Sequence, residues 1–406
     1  MNSVTVHRPS TPINVAIDLP RSKSVSNRAL LMASLCDDLN LVTNLSDGDD
    51  TRVMRDLLFN APHVMDCGAG GTTFRFLLAW AAVRDGEEHI LTGIPRLLDR
   101  PHDDLVNALK QLGADIERLP EGYRVRGRAL QGGEVHFDSP ISSQYLSALL
   151  MVAPRMKNGL MLRWTGTRLS EPFVHMTLKM LSHFGVYPLL ELDGVRVEPG
   201  DYSPAPIDVP PDWSSAAFWY ELVSLSEEST VLLNGLTDDT MQGDREAQRL
   251  WAPWVETSFT AEGARLRHRS VPLDWEGVPR NLRHVPDLFQ PLAFTLAARN
   301  QAAVLNGLDN LRVKETDRLN AVANAIQQLG GSAAFADGAF AVKAGVTARK
   351  PMTFSPDIDH RMALSLAPLA VLLGSITITD PHVVNKSYPT FWEDLKKAGF
   401  GVDQAF

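Results

Sequence analysis

One local pattern recurs along the chain and limits its fold more than any other feature of the sequence. An amphipathic helix ends near a glycine and is followed by two alternating strands joined by a turn. Clear copies begin at Leu105, Leu178 and Arg318. In the third copy the apolar stripe of the helix ends at Gly330 and Gly331, residues that favour a helix end. Recurrence at this length indicates a repetitive architecture.

Weaker copies begin at Arg245, Thr51 and Phe391, which makes about six units in all. The copy from Thr51 has its hairpin cut short, and the copy from Phe391 lacks room for its strands. We expect "SVTVHRPS" and "INVAIDLP" near the N-terminus to complete the final copy, so that both ends of the sequence share a domain. The pattern predicts an α+β architecture in two comparable halves, although unrelated helix–hairpin pairs are the alternative.

Length and two proline breaks predict where these halves divide. A chain of 406 residues exceeds what one hydrophobic core usually serves. Pro20 marks one break, and the stretch "PAPIDVPPDWSS" marks the other. We predict that residues 1–20 and 212–406 form one discontinuous domain and that residues 21–211 form an inserted domain.

The composition argues against several classes of protein. The apolar fraction of 44% is ordinary for a globular chain, and the formal charge of −9 gives no reason to expect a nucleic acid partner. Cys36 and Cys67 are too few for a disulfide framework or a four-thiolate metal site, which favours a reducing, cytoplasmic location. No signal peptide is evident, and the apolar segment from Met362 is too short to span a bilayer, so no membrane role is expected.

Polar side chains gather where apolar helices begin, which indicates anion binding. Lys23 and Arg28 flank a helix start that Ser24 or Ser26 can cap, and the free N–H groups of such a start favour an anion. Capping alone is the simpler alternative, but it accounts for one serine and leaves both cations unexplained.

Two further helix starts carry uncharged groups. Gly70 and Gly71 permit close approach of the backbone to a ligand, but they match neither a nucleotide P-loop nor a dinucleotide motif. Taken alone, they are better explained by a tight packing turn. Ser142, Ser143 and Gln144 precede another apolar helix, where such donors either hold a phosphate or simply cap the helix.

The densest polar cluster is "NLRVKETDRLNAV". Asn310, Lys314, Glu315 and Arg318 precede or open a helix that Thr316 is expected to cap. Ordinary salt bridges on the helix surface, which stabilise a protein only weakly, are the alternative.

A similar helix start follows, with Asp359 as the expected cap and His360 and Arg361 in the first turn. Cations are disfavoured at a helix N-terminus, so Arg318 and Arg361 in this position suggest that a bound anion supplies the missing charge. The clusters show no metal-ligand spacing and no nucleophile motif. They predict a ligand with several negative charges, recognised without a metal or a cofactor.

Seven motifs carry a resemblance to a known family. "SKSVSNRALL", "AGGTTFRFL", "RPHDDLVNALKQLGA", "SSQYLSALLM", "VPD", "RVKETDRL" and "DHRMA" occur in the order found in the 5-enolpyruvylshikimate-3-phosphate synthase family. The chain resembles that family almost end to end. The resemblance implies two domains, each of three βαβαββ-type repeats in an inside-out α/β barrel, with an active site in the cleft between them and domain closure on the first substrate.

The resemblance also implies a reaction and a set of site residues. The enolpyruvyl group of phosphoenolpyruvate is added to the 5-hydroxyl of shikimate 3-phosphate, and phosphate is then eliminated. Asp287 takes the hydroxyl proton and Glu315 serves the methylene carbon, with Lys23 and His360 assisting. The implied shikimate 3-phosphate ligands are Lys23, Ser24, Arg28, Ser142, Ser143, Gln144, Ser170, Asp287, Asn310 and Lys314. The implied phosphoenolpyruvate ligands are Lys23, Gly71, Arg100, Gln144, Arg318, Arg361 and Lys386.

The chain departs from the family pattern at several points, none of which removes an assigned acid, base or primary cation. Ala69 replaces a common Asn, Phe76 a frequent Pro, Phe173 a Tyr and Arg21 a Gly, and the segment between Thr51 and Asp66 is shortened. We expect catalysis to survive these changes. Because Gly71 leaves space beside the phosphate of phosphoenolpyruvate, we also expect sensitivity to glyphosate unless Phe76 shifts that helix.

Two other functions compete with this interpretation. A transferase acting on a UDP-sugar shares the fold and reaction class, but its usual loop cysteine is missing and the serine pair of the shikimate type is present. A catalytically silent phospho-ligand binder would be expected to lose a carboxylate or a cation, whereas Asp287, Glu315, Lys23 and Arg361 all remain. We expect a monomer whose partners are small-molecule substrates alone.

Overall fold

The computed structural model of the chain describes residues 2–167, 169–275, 278 and 280–405. The chain divides into two compact units. The first, called here the discontinuous unit, comprises Met1–Pro20 and Pro210–Phe406, and the second, the continuous unit, comprises Arg21–Val209. Helices and mixed sheets occur in both, so the fold is of the α+β class.

The secondary structure alternates between helices and short strands. The helices are α1 (Lys23–Ser34), α2 (Asp49–Asn60), α3 (Gly71–Ala82), α4 (Pro95–Leu98), α5 (Asp103–Gln111), α6 (Ser143–Val152), α7 (Glu171–His183), α8 (Trp213–Leu225), α9 (Ala247–Leu250), α10 (Phe289–Ala298), α11 (Arg318–Gln328), α12 (His360–Leu366), α13 (Ala370–Leu373) and α14 (Phe391–Lys397). The strands are β1 (Ser3–His7), β2 (Asn14–Ile17), β3 (Val42–Thr43), β4 (Val64–Asp66), β5 (Glu88–Thr92), β6 (Asp115–Leu119), β7 (Gly122–Arg126), β8 (Gly133–Asp138), β9 (Leu160–Thr165), β10 (Leu189–Glu191), β11 (Gly194–Val197), β12 (Ile207–Asp208), β13 (Thr230–Asn234), β14 (Val255–Phe259), β15 (Gly263–His268), β16 (Ala303–Asn306), β17 (Ser332–Ala336), β18 (Ala339–Ala344), β19 (Met352–Phe354), β20 (Ser375–Thr379) and β21 (Gly401–Ala405).

The four-stranded sheets in the described residues repeat one topology. In the continuous unit the strand orders are β4-β5-β7-β6, β10-β11-β9-β8 and the pair β12-β3; in the discontinuous unit they are β14-β15-β13-β2, β16-β18-β17 and β19-β20-β1-β21. Each four-stranded sheet combines one parallel pair, such as β4 with β5, with antiparallel neighbours such as β6 with β7. The helix–hairpin copies predicted from the sequence are present as α5-β6-β7, α7-β10-β11 and α11-β17-β18.

The N-terminal strands join two different sheets. β1 lies between β20 and β21, as expected for the completion of the final repeat. β2 instead pairs in parallel with β13, from Asn14 opposite Thr230 to Ile17 opposite Leu233, so its predicted place in the final repeat was wrong. The copy from Thr51 is indeed short, because α2 leads directly into β4, which pairs with β5.

Buried helices form the centre of each unit. In the continuous unit α3 packs against α1 and α6, and every residue of α3 from Thr73 to Ala82 is buried. In the discontinuous unit α10 packs against α8 and α12, and α8 is buried from Ser215 to Leu225. Helices that are apolar on all sides require such burial. The polar residues of the predicted site therefore occur mainly at the N-terminal ends of these central helices.

Candidate functional site

Arg28 lies on α1 and is held by neutral acceptors. Its Nε donates to the Thr177 hydroxyl at 2.8 Å, and its Nη2 donates to the Ser147 hydroxyl at 3.1 Å. The carbonyl oxygens of Ser24 and Phe173 accept further bonds at 2.9 and 3.3 Å. Burial lowers the pKa of Arg28 to about 9. The guanidinium is thus fixed in place with its charge uncompensated by an acidic neighbour in the described residues.

Lys23 opens α1 and has an acidic partner. Its Nζ donates to Oδ2 of Asp50 at 3.1 Å, and Asp50 is buried. The residue that caps α1 is Ser22, not Ser24 or Ser26 as predicted, and its side chain makes no capping bond. The chain is extended at Ser22 and helical from Lys23, so the helix begins earlier than a cap at Ser24 or Ser26 would place it.

The glycine turn brings α3 close to Arg100. Gly71 is the first residue of α3, and a Cβ added to it would collide with the Arg100 guanidinium, whose Cζ would be only 3.0 Å away. Arg100 is 9% exposed, and its Nε has no partner among the described residues. The absence of a side chain at Gly71 is therefore what gives this guanidinium its room.

Gln144 joins two helix starts in the continuous unit. Its Oε1 accepts from Nη1 of Arg75 at 2.6 Å, and its Nε2 donates to the Thr72 hydroxyl at 2.9 Å. The Ser142 hydroxyl caps α6 by accepting from the Gln144 backbone N–H, which leaves Ser143 as the first helical residue. The start of α6 is thus tied to the start of α3.

Ser170 precedes α7 in a strained conformation. Its φ is 54°, in the left-handed region, and it is 6% exposed. Non-glycine residues adopt this conformation infrequently, and such positions concentrate at functional sites. Its side chain makes no capping bond, so the cap of α7 does not account for this conformation.

In the discontinuous unit, Arg318 is surrounded by three carboxylates. Its Nε donates to Asp359 at 2.7 Å, its Nη2 to Glu315 at 3.1 Å and its Nη1 to Asp287 at 3.2 Å. Burial alone would lower the pKa of Arg318, but the charges of Asp359, Glu315 and Asp287 raise it above its usual value. The residue remains a cation.

Two further cations extend this network. Arg361 contacts Asp287 twice, through Nη2 to the carboxylate at 2.9 Å and through Nη1 to the backbone carbonyl at 3.3 Å. Lys386 Nζ lies 3.7 Å from Oε1 of Glu315. Asp287 and Glu315, the two predicted acid–base residues, therefore each contact Arg318 and one additional cation.

The structure corrects two predictions about these helix starts. Asp317, not Thr316, caps α11, and its carboxylate accepts from the Asn320 N–H at 3.2 Å. The charge thought to be missing beside Arg318 is supplied by the protein's own carboxylates, since Asp359 both caps α12 and pairs with Arg318. A bound anion is thus not required to explain the position of this arginine.

Asp244 adds a further acidic group beside this network. It is 2% exposed and shares a hydrogen bond with the Ser214 hydroxyl. Burial raises the pKa of Asp244 to about 7, and the charge of Asp287 acts in the same direction, whereas Ser214 and Arg361 oppose it. The buried carboxyl therefore keeps its proton to a higher pH than an exposed aspartate does.

The remaining predicted residues of this unit lie nearby in sequence or space. His360 follows the cap of α12, with Nδ1 3.5 Å from Asp359. Asn310 lies in the 3-10 helix Asp309–Val313 and is 5% exposed, and Lys314 follows that helix. Across residues 2–167, 169–275, 278 and 280–405, no group of three or more His, Cys, Asp or Glu side chains is arranged to hold a metal ion.

Several side chains that organise these clusters were not predicted from the sequence. Asp50 pairs with Lys23, Thr177 holds Arg28, and Asp359 was assigned only as a cap. Arg75 was overlooked although it is the single charge within the apolar run "TTFRFLLAW", a position that costs free energy unless the charge is paired. Polar residues in apolar helices are the signal that would have identified it.

Comparison with known proteins gives one consistent family. The sequence matches the family model described as EPSP synthase (3-phosphoshikimate 1-carboxyvinyltransferase) over residues 7–61 and 55–395. A 3-phosphoshikimate 1-carboxyvinyltransferase of Bacteroides fragilis is 39% identical over 400 residues, which is 96% of each chain. One from Haemophilus influenzae is 32% identical over 444 aligned positions, covering 98% of this chain and 99% of the other.

The fold is similar to solved structures at lower sequence identity. An EPSP synthase structure from Acinetobacter baumannii aligns with a TM-score of 0.78 at 21% identity, covering 100% of both chains. A second structure of EPSP synthase from the same organism aligns with a TM-score of 0.76 at 20% identity. These alignments extend the similarity of fold to the whole chain.

Proposed function

Because the chain belongs to the EPSP synthase family, we propose that the cations and carboxylates described above carry out that family's reaction. The chain is an enzyme, a 3-phosphoshikimate 1-carboxyvinyltransferase, which transfers the enolpyruvyl group of phosphoenolpyruvate to shikimate 3-phosphate in aromatic amino acid biosynthesis. The observation that carries the assignment of roles is the network around Arg318, in which both candidate acid–base carboxylates contact cations.

We propose that the discontinuous unit supplies the acid–base groups and the cations for phosphoenolpyruvate. Asp287 takes the proton of the 5-hydroxyl as its oxygen bonds to C2 of the enolpyruvyl group, while Glu315 protonates the methylene carbon. Glu315 then takes a proton back from that carbon as the C2–O bond to phosphate breaks, and the proton held by Asp287 passes to the departing phosphate. Arg318 and Arg361 bind the carboxylate of phosphoenolpyruvate, and Lys386 stabilises charge that develops on the phosphate.

The contacts of Asp287 indicate that a substrate carboxylate would compete with it for Arg318 and Arg361. Arg318 and Arg361 both pair with Asp287. A substrate carboxylate that takes over some of these donors would release the Asp287 carboxylate for contact with the 5-hydroxyl of shikimate 3-phosphate.

We propose that the continuous unit holds most of the shikimate 3-phosphate site. Ser142, Ser143 and Ser170 bind its phosphate, and Ser24 and Arg28 bind its carboxylate. The support is the position of these groups at the starts of α1, α6 and α7, where backbone N–H groups favour anions. The remaining shikimate 3-phosphate groups are Lys23, Gln144, Asp287, Asn310 and Lys314, while Lys23, Gly71, Arg100 and Gln144 serve the phosphate of phosphoenolpyruvate.

The two units described above are proposed to be the two domains of this transferase, and the enzyme to act as a cytoplasmic monomer without a nucleic acid partner. The formal charge of −9 supports the last point. No helix in the described part of the chain is long and apolar enough to cross a membrane.

Phosphate release from purified protein mixed with both substrates, without added metal, tests the assignment. Asp287→Asn and Glu315→Gln should each lower kcat at least a hundredfold, since general acid–base catalysis commonly contributes about 10²–10⁴. The exposed Asp309→Asn is the matched control and should retain wild-type turnover. Turnover that requires UDP-N-acetylglucosamine in place of shikimate 3-phosphate would instead identify the UDP-sugar transferase.

A further inference from the structure

Arg28 is a buried cation that has no acidic partner among the described residues. It is 1% exposed, and its hydrogen bonds go to two hydroxyls and two backbone carbonyls. No carboxylate in the described part of the chain pairs with it, and burial is the sole cause that lowers its pKa. Neutral acceptors offset only part of the cost of removing a guanidinium from water, so a further source of stabilisation is needed.

Two aromatic rings supply that stabilisation. The Cζ atom of Arg28 lies 5.2 Å from the ring centroid of Phe76 on α3 and 5.9 Å from that of Phe173 on α7. Both distances fall within the range of about 6 Å in which a guanidinium is attracted to the face of a ring. The attraction is stronger at a desolvated site such as this one.

Both rings stand at positions where the chain departs from the pattern of the family it resembles. The sequence has Phe76 in place of a frequent proline and Phe173 in place of a tyrosine. The positions lie 97 residues apart in the sequence, as the difference between 173 and 76, yet both rings contact the same guanidinium. One interaction therefore accounts for both departures.

We propose that Phe76 and Phe173 form an aromatic clamp that holds the guanidinium of Arg28 charged and oriented for the carboxylate of shikimate 3-phosphate. The clamp acts in place of an acidic residue, and Phe76 and Phe173 are positioning residues. The proposal rests on the proposed function, in which Arg28 binds that carboxylate.

The chemistry of the clamp explains why an aromatic pair suits this position. An aspartate beside Arg28 would occupy guanidinium N–H groups and compete with the substrate carboxylate. A ring face attracts the cation without accepting any of its N–H donors in the guanidinium plane. Of the five donors of the side chain, four are used by Thr177, Ser147, Ser24 and Phe173, and one on Nη1 is left for a ligand.

The same geometry predicts selectivity between the two substrates. Among the described residues, the two rings make cation–π contacts with Arg28 and with none of the cations assigned to phosphoenolpyruvate. Loss of a ring should therefore weaken binding of shikimate 3-phosphate and leave binding of phosphoenolpyruvate unchanged. A residue that served only to fill the core would disturb both sites, or stability alone.

The test combines binding of shikimate 3-phosphate, measured by calorimetry without phosphoenolpyruvate, with the steady-state KM for each substrate. Phe76→Leu and Phe173→Leu should each raise the Kd for shikimate 3-phosphate roughly five- to thirtyfold, the range expected for loss of one desolvated cation–π contact. The KM for phosphoenolpyruvate should change less than twofold. Phe173→Tyr, which keeps the ring, should retain the wild-type affinity for shikimate 3-phosphate.

Phe184→Leu is the matched control, because Phe184 is fully buried in the same unit and contacts His183 and Tyr202 instead of a guanidinium. It should leave both substrate constants unchanged. Because Phe173 is only half-buried, Phe173→Leu provides a folded variant for the test if Phe76→Leu does not fold. Thermal unfolding of every variant verifies that the proteins compared are folded.

A double-mutant cycle separates the clamp from simple packing. In an Arg28→Gln background, Phe173→Leu should have no further effect on the affinity for shikimate 3-phosphate. Additive losses, equal losses for both substrates, or an equal loss in Phe184→Leu would overturn the proposal. Turnover by the wild-type protein is read in the same assay, so failure of the proposed function is distinguished from failure of the clamp.

Discussion

At the residue scale, the start of α3 depends on the absence of a side chain at Gly71. The sequence suggested that this glycine leaves space for a ligand, whereas the adjacent group in the structure is the guanidinium of Arg100. An added methyl group would force that guanidinium to move. Changes at Gly71 should therefore act on the substrate through Arg100 as well as by direct contact.

We predict that Gly71→Ala raises the KM for phosphoenolpyruvate about tenfold, because crowding of this kind costs about 1–3 kcal/mol. Inhibition by glyphosate measured against phosphoenolpyruvate should weaken in parallel. Gly200→Ala is the control, since a Cβ there meets no atom within 4 Å. An unchanged KM for phosphoenolpyruvate in Gly71→Ala would show that Arg100 has room to move without loss of binding.

A single change at Glu221 is also expected to have a strong effect, in this case on the stability of the folded protein. It is 0% exposed on α8, and neither carboxylate oxygen has a partner among the described residues. Burial raises the pKa of Glu221 well above its ordinary value of 4.5. The folded protein therefore keeps a proton that the unfolded chain loses as the pH rises above about 4.5, so folding becomes less favourable with increasing pH.

Glu221→Met, which has a similar length and no polar group, should stabilise the protein by about 1–3 kcal/mol at neutral pH. The gain should be smaller near pH 4 than at pH 8, because the wild-type carboxyl is already protonated in both states at low pH. Urea unfolding across this pH range measures the difference. Glu227→Met, the same change at an exposed position, should show no such dependence, and a gain that does not vary with pH would contradict the explanation.

At the scale of elements, helices and hairpins were predictable because apolar spacing and glycine positions are local signals. The residues at which the helices begin were harder to predict. Ser24, Ser26 and Thr316 have the chemistry of caps, but Ser22 and Asp317 occupy the cap positions. Several adjacent polar residues meet the same local preference, and tertiary packing decides among them.

Sheet membership was harder to predict than the strands themselves. The order of β1 and β2 in the chain suggested that they belong to one sheet, yet β2 pairs with β13. Likewise, the positions of Arg318 and Arg361 at helix starts were read correctly, but the carboxylates around Arg318 come from three separate segments. Partners distant in sequence leave no local pattern, which is why the motifs were evident and their pairing was not.

At the scale of the whole molecule, the continuous unit has the organisation of a separable domain. Its two ends are adjacent, because Nη1 of Arg21 donates to the carbonyl of Val209 at 3.3 Å. Near the same end, β12 pairs in parallel with β3. A segment that is continuous, with its own buried helices and neighbouring ends, meets the requirements for independent folding.

A protein comprising residues 21–209 should therefore unfold cooperatively in urea and show a well-dispersed NMR spectrum. A shorter form, residues 21–205, lacks β12 and leaves β3 unpaired, so it should be less stable at the same temperature. The comparison uses the midpoint of urea unfolding. A broad, non-cooperative transition for residues 21–209 would indicate that this unit depends on the rest of the chain.

The position of β1 in its sheet has a consequence for synthesis on the ribosome. β1 lies between β20 and β21, two strands whose residues are translated more than 350 residues later, as the difference between 375 and 7 indicates. During elongation β1 has neither neighbour, whereas every strand that the continuous unit uses has already emerged. The nascent chain must keep this unpaired strand from aggregating until β20 and β21 have been made, so β1 reaches its native contacts long after its own synthesis.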